Sequence, residues 1–202
     1  AKYRDSTNTE SVQAIEPFAN SLVLRLKQDL NDGKIIFGGF FTNKQQVLTT
    51  NYLKSSFVSK ANVMGADFEY ALPDPAWVVS GYTATSSLLG TEKIISEIQK
   101  NSTHYFQRPD DEIRLDTTKN QLNGTSSELS LTKISGKNIK GSFTYRQISP
   151  GYDINELGYI RSANTKQLKS YVEYEDFVPK KYWQLLSFSF GTWYDRDYQW
   201  RN

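Results

Sequence analysis

The sequence predicts an all-β chain that forms part of an antiparallel transmembrane β-barrel. Three observations support this prediction. About eight segments alternate apolar and polar side chains, as strands with one apolar and one wet face do. Short turns between the segments alternate with long loops, which is typical of outer-membrane barrels. The segments are about 10 residues long, which suits a tilted strand crossing a bilayer.

The chain divides into a polar connector without regular period at residues 1–20 and a barrel portion at residues 21–202. The alternation defines the strands of the barrel portion. The predicted strands are 21–30, 35–42, 60–72, 76–85, 125–134, 139–148, 167–175 and 182–194. The predicted barrel is incomplete, with the segments at 21–36 and 182–200 as unpaired edges rather than neighbours.

The first strand shows the two faces most clearly. Leu22, Leu24 and Leu26 fall on one side, whereas Arg25 and Lys27 fall on the other. In a membrane-spanning strand the leucines would face lipid and the charged side chains would face the interior. A run of the same kind at residues 65–69 adds further charge to the predicted inner face.

The connections at one end of the predicted sheet are short, and those at the other end are long. Short turns are predicted at 31–34, 73–75, 135–138 and 176–180, and long loops at 43–59, 86–124 and 149–166. Gly38 and Gly39 interrupt a strand and predict either a bulge or a close backbone approach. Aromatic residues near strand ends suggest membrane-interface girdles, namely Tyr82, Tyr174, Tyr182, Trp183 and Trp193. A soluble β-sandwich is the alternative fold, although its loop lengths need not alternate.

One short helix is predicted inside a long loop. Ile94, Ile95 and Ile98 have helical spacing, and Thr91 followed by Glu92 is a suitable helix start. The helix is therefore expected within residues 90–101.

Composition excludes several classes of site. The chain has no cysteine and one histidine, so disulfides, thiol nucleophiles and histidine-rich zinc sites are excluded. A net charge of +2 without a basic cluster gives no sign of nucleic-acid binding. The sequence contains no run of about 18 apolar residues, so no transmembrane helix is predicted. Its first residues do not have the pattern of a secretory signal. We expect no cofactor and no bound metal.

Two loops contain the candidate ligand-binding residues. Their polar and aromatic side chains could meet a ligand, or could equally serve as solvated rim and interface groups. The candidates are Arg108, Asp110, Tyr152, Asp153, Asn155, Glu156 and Arg161. Arg108 and Asp110 could instead form an ion pair that fixes the loop. Tyr105 and Tyr159 could likewise stack on sugar rings or belong to an aromatic belt.

Catalytic arrangements are weakly supported. The acidic run at residues 110–112 could supply paired carboxylates, but adjacent acids usually point apart and are solvated. His104 with Ser102 and Asp110 lacks the spacing and the glycine-flanked serine of a hydrolase triad. No catalytic residue is therefore assigned.

Three stretches resemble one known family when taken together in order. They are the residues Tyr-Phe-Gln-Arg-Pro-Asp at 105–110, the strand–turn–strand around 135–138, and Ser-Pro-Gly-Tyr-Asp-Ile-Asn-Glu-Leu-Gly-Tyr at 149–159. These stretches resemble the C-terminal region of the DUF5916 family of Bacteroidota-type bacteria, mainly over residues 18–161. The resemblance implies a carbohydrate-binding-type β-sandwich followed by an outer-membrane β-barrel, of which this chain would carry part of the barrel. It implies no catalytic residues.

These observations lead to one expected function. The chain is expected to be an outer-membrane component with a structural, transport or assembly role and no catalysis of its own. Its expected partner is outer-membrane lipid, with other outer-membrane or surface proteins, or a glycan, as further candidates. The competing hypotheses are a soluble or surface carbohydrate-binding β-module and a glycoside hydrolase, which would need two facing carboxylates.

Overall fold

A single antiparallel sheet of eight strands dominates the computed structural model, which describes residues 2–4, 10–12, 14–74, 76–108, 113–136 and 138–199. Two short helices accompany the sheet. In chain order the elements are β1 Lys2–Arg4, β2 Glu10–Val12, β3 Phe18–Leu30, β4 Ile35–Val47, α1 Asn51–Ser56, β5 Lys60–Ala71, β6 Trp77–Leu89, α2 Glu92–Lys100, β7 Gln121–Lys133, β8 Ile139–Ile148, β9 Thr165–Asp176 and β10 Leu186–Asp197. The all-β class and the eight strands are as predicted.

The large sheet is a meander in which each strand pairs with the next along the chain. The strand order runs from β3 to β10 without a crossover, so β3 and β10 are its two edges. These edges do not pair with each other and the sheet is open, which agrees with the prediction that the first and last strands are not neighbours. No helix among the described residues is long and apolar enough to cross a membrane.

Several predicted bounds were wrong for identifiable reasons. β4 continues to Val47 because its polar residues pair with β5, as Lys44 does with Ala61. Residues 43–59, predicted to be a loop, also contain α1, where Thr50 Oγ1 accepts from Leu53 N at 3.2 Å and Leu53 is buried. The described residues thus contain two helices, whereas one was predicted. The predicted α2 is confirmed, with Thr91 as its N-cap.

Residues 2–4 and 10–12, within the segment predicted to be irregular, pair as a separate two-stranded sheet. β3 begins at Phe18, earlier than the predicted start. The register through Gly38 and Gly39 is continuous, so there is no bulge. The alternative, a close approach, is confirmed, because a Cβ on Gly38 would lie 2.8 Å from the Leu26 carbonyl oxygen.

The register gives the sheet two chemically different faces. Residues paired across neighbouring strands share a face, so one row can be followed from Leu24 through Phe41 to Met64. We call this side the apolar face. Its large exposed side chains include Leu22, Leu24, Leu26, Phe37, Met64, Phe68, Leu129, Leu131, Phe143, Val172, Phe188 and Phe190.

The opposite side, which we call the polar face, carries paired charges. Arg25 forms two hydrogen bonds with Asp67, one of them at 2.7 Å. Lys140 lies 2.9 Å from Glu175. The predicted division of Leu24 and Arg25 between two faces is therefore confirmed.

Two of the predicted girdle residues are on the wrong face for that role. Tyr82 lies on the polar face and its hydroxyl is 3.1 Å from Ser126 Oγ. Trp193 shares that face, as its pairing with Lys169 shows. Tyr174 does lie on the apolar face, where it stacks on Phe188 with ring centroids 5.2 Å apart.

The buried core lies on the polar face, beneath the long loops. One cluster packs α2 onto the sheet and contains Val58, Ala61, Leu88, Ile95 and Leu122. A second cluster packs the loop after β8 onto the sheet and contains Ala84, Ile148, Tyr152, Ile160 and Ala163. The apolar face has no such cover among the described residues.

Candidate functional site

The loop between β8 and β9, residues 149–164, folds across the polar face, and we call it the inner loop. Two glycines allow the close contact. A Cβ on Gly124 of β7 would lie 2.0 Å from Tyr152 N, and one on Gly151 would lie 2.2 Å from the Asn123 carbonyl oxygen. Thr125 N also donates to Ser149 Oγ at 2.7 Å. The loop backbone is therefore in direct contact with β7.

Apolar side chains hold the inner loop on the sheet. Tyr152, Ile160 and Ala163 are buried against Ala84, with Phe40 packed at the margin. Burial raises the pKa of the Tyr152 phenol to about 12. The loop is therefore seated like part of a core, with Tyr152 kept neutral at ordinary pH.

Asp153 organises the polar part of the inner loop. Its backbone N donates to Ser86 Oγ on β6 at 2.9 Å. Its carboxylate Oδ1 accepts from Asn155 N at 2.7 Å, which closes a local turn. Asn155 Oδ1 in turn accepts from Ile160 N at 2.8 Å. Asp153 thus fixes both the fold of the loop and its position on the strand beneath.

His104 joins the inner loop to the loop that follows α2. Its Nε2 lies 2.8 Å from Asp153 Oδ2, and its Nδ1 lies 2.7 Å from the Pro150 carbonyl oxygen. Both side chains are almost fully buried, with exposed fractions of 0% and 5%. Each ring nitrogen therefore has an oxygen partner on the inner loop. Ala163 N adds a backbone hydrogen bond to the Thr103 carbonyl at 2.9 Å.

This arrangement positions the loops and does not resemble a catalytic centre. Both nitrogens of His104 are occupied, by Asp153 and by a main-chain carbonyl, so neither faces a nucleophile. The described residues contain no group of three metal-ligating side chains. Within that part of the chain, the chemistry of the site is that of a buried clamp between two loops.

The structure brings four of the predicted site residues together. Tyr152, Asp153, Asn155 and Glu156 lie on the inner loop, where Glu156 Oε2 is 2.6 Å from Lys44 Nζ on β4. Arg161 is exposed on the same loop. Each of the four has a described role in seating the loop.

Arg108 lines an open groove of about 710 Å³ that is bounded by the loop after α2, the last residues of the inner loop and the end of β10. Tyr105, Asp195 and Asp197 also line this groove. Asp110 and the acidic run at 110–112 fall outside the described residues. The proposed ion pair of Arg108 with Asp110 falls outside them as well.

Two central residues of the clamp, His104 and Ser86, were not singled out from the sequence as binding residues. His104 and Asp153 are 49 positions apart, and no local pattern connects them. The available signal was indirect. A lone histidine in one long loop and a buried acid in another become partners only when both loops fold over the same face.

A family model described as a domain of unknown function, DUF5916, matches residues 1–202. The chain belongs to the DUF5916 family. The match covers the whole sequence, whereas the resemblance seen in the sequence motifs was concentrated in residues 18–161. No curated protein and no solved structure gives a significant match. The features of this DUF5916 chain that bear on its function are the two faces of the sheet and the clamp.

Proposed function

We propose that this chain forms part of the wall of a bacterial outer-membrane β-barrel, with a structural, transport or assembly role and no catalysis of its own. The observation that supports the proposal is the uncovered apolar face. Its exposed side chains extend across the sheet from Leu26, 79% exposed on β3, to Phe190, 70% exposed on β10. An exposed apolar surface of this extent marks contact with a partner or a membrane.

The strand lengths suit a lipid bilayer. The eight strands have between 10 and 13 residues. At about 3.3 Å per residue and a tilt of about 40°, such strands span roughly 25–33 Å along the membrane normal. That distance matches the apolar band of about 25 Å on outer-membrane barrels.

The polar face has the chemistry expected of a wet interior. Its charged side chains pair with one another, as Arg25 does with Asp67 and Lys140 with Glu175. These pairs remain partly exposed, so they need not bear the desolvation cost of a dry lumen. We propose that this face surrounds water.

The two edge strands of the sheet need further strands as hydrogen-bonding partners in a membrane. β3 and β10 each have one unpaired side in the described structure. An unpaired edge is untenable in hydrocarbon because its backbone N–H and C=O groups lack partners. We propose that additional strands of the full-length protein pair with both edges and close a barrel of more than eight strands.

The inner loop gives the proposed barrel a partial plug. It covers the polar face at the end of the sheet that carries the long loops, and the His104–Asp153 clamp holds it there. A wall with a built-in plug suits a transport or assembly component better than an unobstructed pore.

A soluble or surface carbohydrate-binding module is the second candidate. The groove beside Tyr105 and Arg108 favours it, because Tyr105 is 54% exposed among hydrogen-bonding side chains. A soluble module, however, would leave the apolar face in water, so the barrel is the better-supported function.

Cell fractionation of the full-length protein tests the proposal. A barrel would be recovered in the outer-membrane fraction, would require detergent for extraction, and would migrate faster on gels before boiling than after. Recovery as a monodisperse protein without detergent would contradict the membrane proposal. Detergent-free binding to glycans would then favour the second candidate.

A further inference from the structure

One of the pits on the apolar face lies near the turn between β7 and β8. The pit has a volume of about 330 Å³ and centres on Gly141 of β8. Gly141 lacks a side chain where its neighbours Ile139 and Phe143 on the same face have large ones. Leu131 and Val172 form the side walls. The pit therefore lies where one position of the apolar face lacks a side chain between large apolar neighbours.

One cation stands beside the pit. Lys133 pairs with Gly141 across β7 and β8, so its side chain emerges on the same face. Its ammonium lies 5.6 Å from the centre of the Trp77 ring, which also lines the pit. The nearby Lys140 and Glu175 pair with each other from the other face. Lys133 thus adds a positive charge that no described carboxylate neutralises.

We propose that this pit binds an anionic glycerophospholipid, with an acyl chain over Gly141 and the phosphate at Lys133. This inference rests on the proposed membrane function. The apolar walls at Leu131 and Phe143 lie deeper along the strands, and the lysine–tryptophan pair lies toward the turn. That order matches a lipid whose tail points into the bilayer and whose headgroup lies at the interface. The positive charge of Lys133 selects a net negative headgroup over a zwitterionic one.

Native mass spectrometry of the full-length protein, exchanged into equal amounts of phosphatidylglycerol and phosphatidylcholine, tests the proposal. The wild type should retain phosphatidylglycerol preferentially. Lys133→Gln should reduce that preference about fivefold, because one lysine near a headgroup contributes roughly that factor. Val172→Trp should fill the pit and lower retention of both lipids. Lys27→Gln, which removes the same charge from the polar face, should leave the preference unchanged.

The outcomes separate this inference from the proposed function. A protein that spans the membrane but shows no preference, or loses it equally in Lys133→Gln and Lys27→Gln, would overturn the lipid site alone. A protein that does not enter membranes would overturn both proposals. If Val172→Trp fails to fold, the comparison of Lys133→Gln with Lys27→Gln still decides the matter.

Discussion

At the residue scale, the inner loop depends on Asp153 more than on any other carboxylate. Removing its side chain leaves His104 buried without one of its two partners. We expect Asp153→Ala to weaken the closed position of the loop by about 3 kcal/mol, because leaving a buried hydrogen-bonding group without its partner costs free energy of that order. Amide hydrogen exchange in residues 149–164 should then accelerate about a hundredfold.

Glu156→Ala is the matched control for Asp153→Ala. It also removes a carboxylate from the inner loop, but its contact with Lys44 is partly exposed. Its effect should stay below about 1 kcal/mol. Equal acceleration of exchange in the two variants would show that burial of the His104–Asp153 pair does not govern the loop.

The glycine beneath the loop gives a second prediction. A Cβ at Gly124 would collide with the Tyr152 backbone, which cannot move without lifting the loop. We expect Gly124→Ala to destabilise the protein by about 1–3 kcal/mol in denaturant unfolding. At Gly191 the nearest atom to an added Cβ is 3.5 Å away, so Gly191→Ala should be neutral or stabilising. Indistinguishable stabilities would be evidence against a seated loop.

A pH dependence follows from Tyr152. Its pKa is raised from 10.0 to about 12 by burial, so folding favours the neutral phenol. Its contribution to the seated loop is fully present below pH 10 and is lost as the pH rises toward about 12. The phenolate absorbance of the wild type minus that of Tyr152→Phe, measured against pH, should show a single step near pH 12. A step near 10 would indicate that the side chain is solvated.

At the scale of elements, the sequence predicted those helices and strands whose bounds are set by neighbouring residues along the chain. β8 was predicted with the observed bounds from the alternation of its side chains, and α2 from its helical spacing and from Thr91 at its start. α1 was missed because it is six residues long and buries one apolar side chain, Leu53. The extra residues of β4 were missed because their pairing with β5, and not alternation, makes them a strand.

For the candidate site, the sequence likewise identified the loop but not its contacts with distant residues. The polar and aromatic side chains of residues 149–161 identified this loop as a candidate binding segment. They did not predict that Asp153 and Glu156 anchor the loop to the sheet, since their partners, His104 and Lys44, are distant in sequence. Those contacts depend on tertiary folding over the polar face.

The connections between strands give a prediction about orientation. In the proposed barrel the long loops lie outside the cell and the short turns lie on the periplasmic side of the outer membrane. Because the chain contains no cysteine, single cysteines can be introduced as reporters in a cysteine-free full-length protein. A membrane-impermeant maleimide should label Ser162→Cys on intact cells and label Lys34→Cys only after permeabilisation. The opposite pattern would reverse the orientation, and immediate labelling of both would contradict a membrane-spanning sheet.

At the scale of the whole molecule, the organisation is a sheet with two unlike faces and open edges. Water-exposed proteins cover their apolar surface, whereas here the two core clusters, α2 and the inner loop lie on the polar side. This inversion, together with the unpaired β3 and β10, is the reason that a barrel wall accounts for the structure better than a soluble sandwich.

The most direct test of the membrane wall compares two adjacent residues of β3. Leu24→Arg places a charge on the apolar face, which should cost about 2–4 kcal/mol at a lipid-facing position. Arg25→Leu removes the partly exposed pair with Asp67 from the polar face, which should cost little because ion pairs in contact with water are weak. The measurement is the fraction of full-length protein recovered from outer membranes in the heat-modifiable form. We predict a marked loss for Leu24→Arg and near-normal recovery for Arg25→Leu. Equal recovery of the two variants, or a greater loss for Arg25→Leu, would contradict the proposal that the apolar face meets lipid.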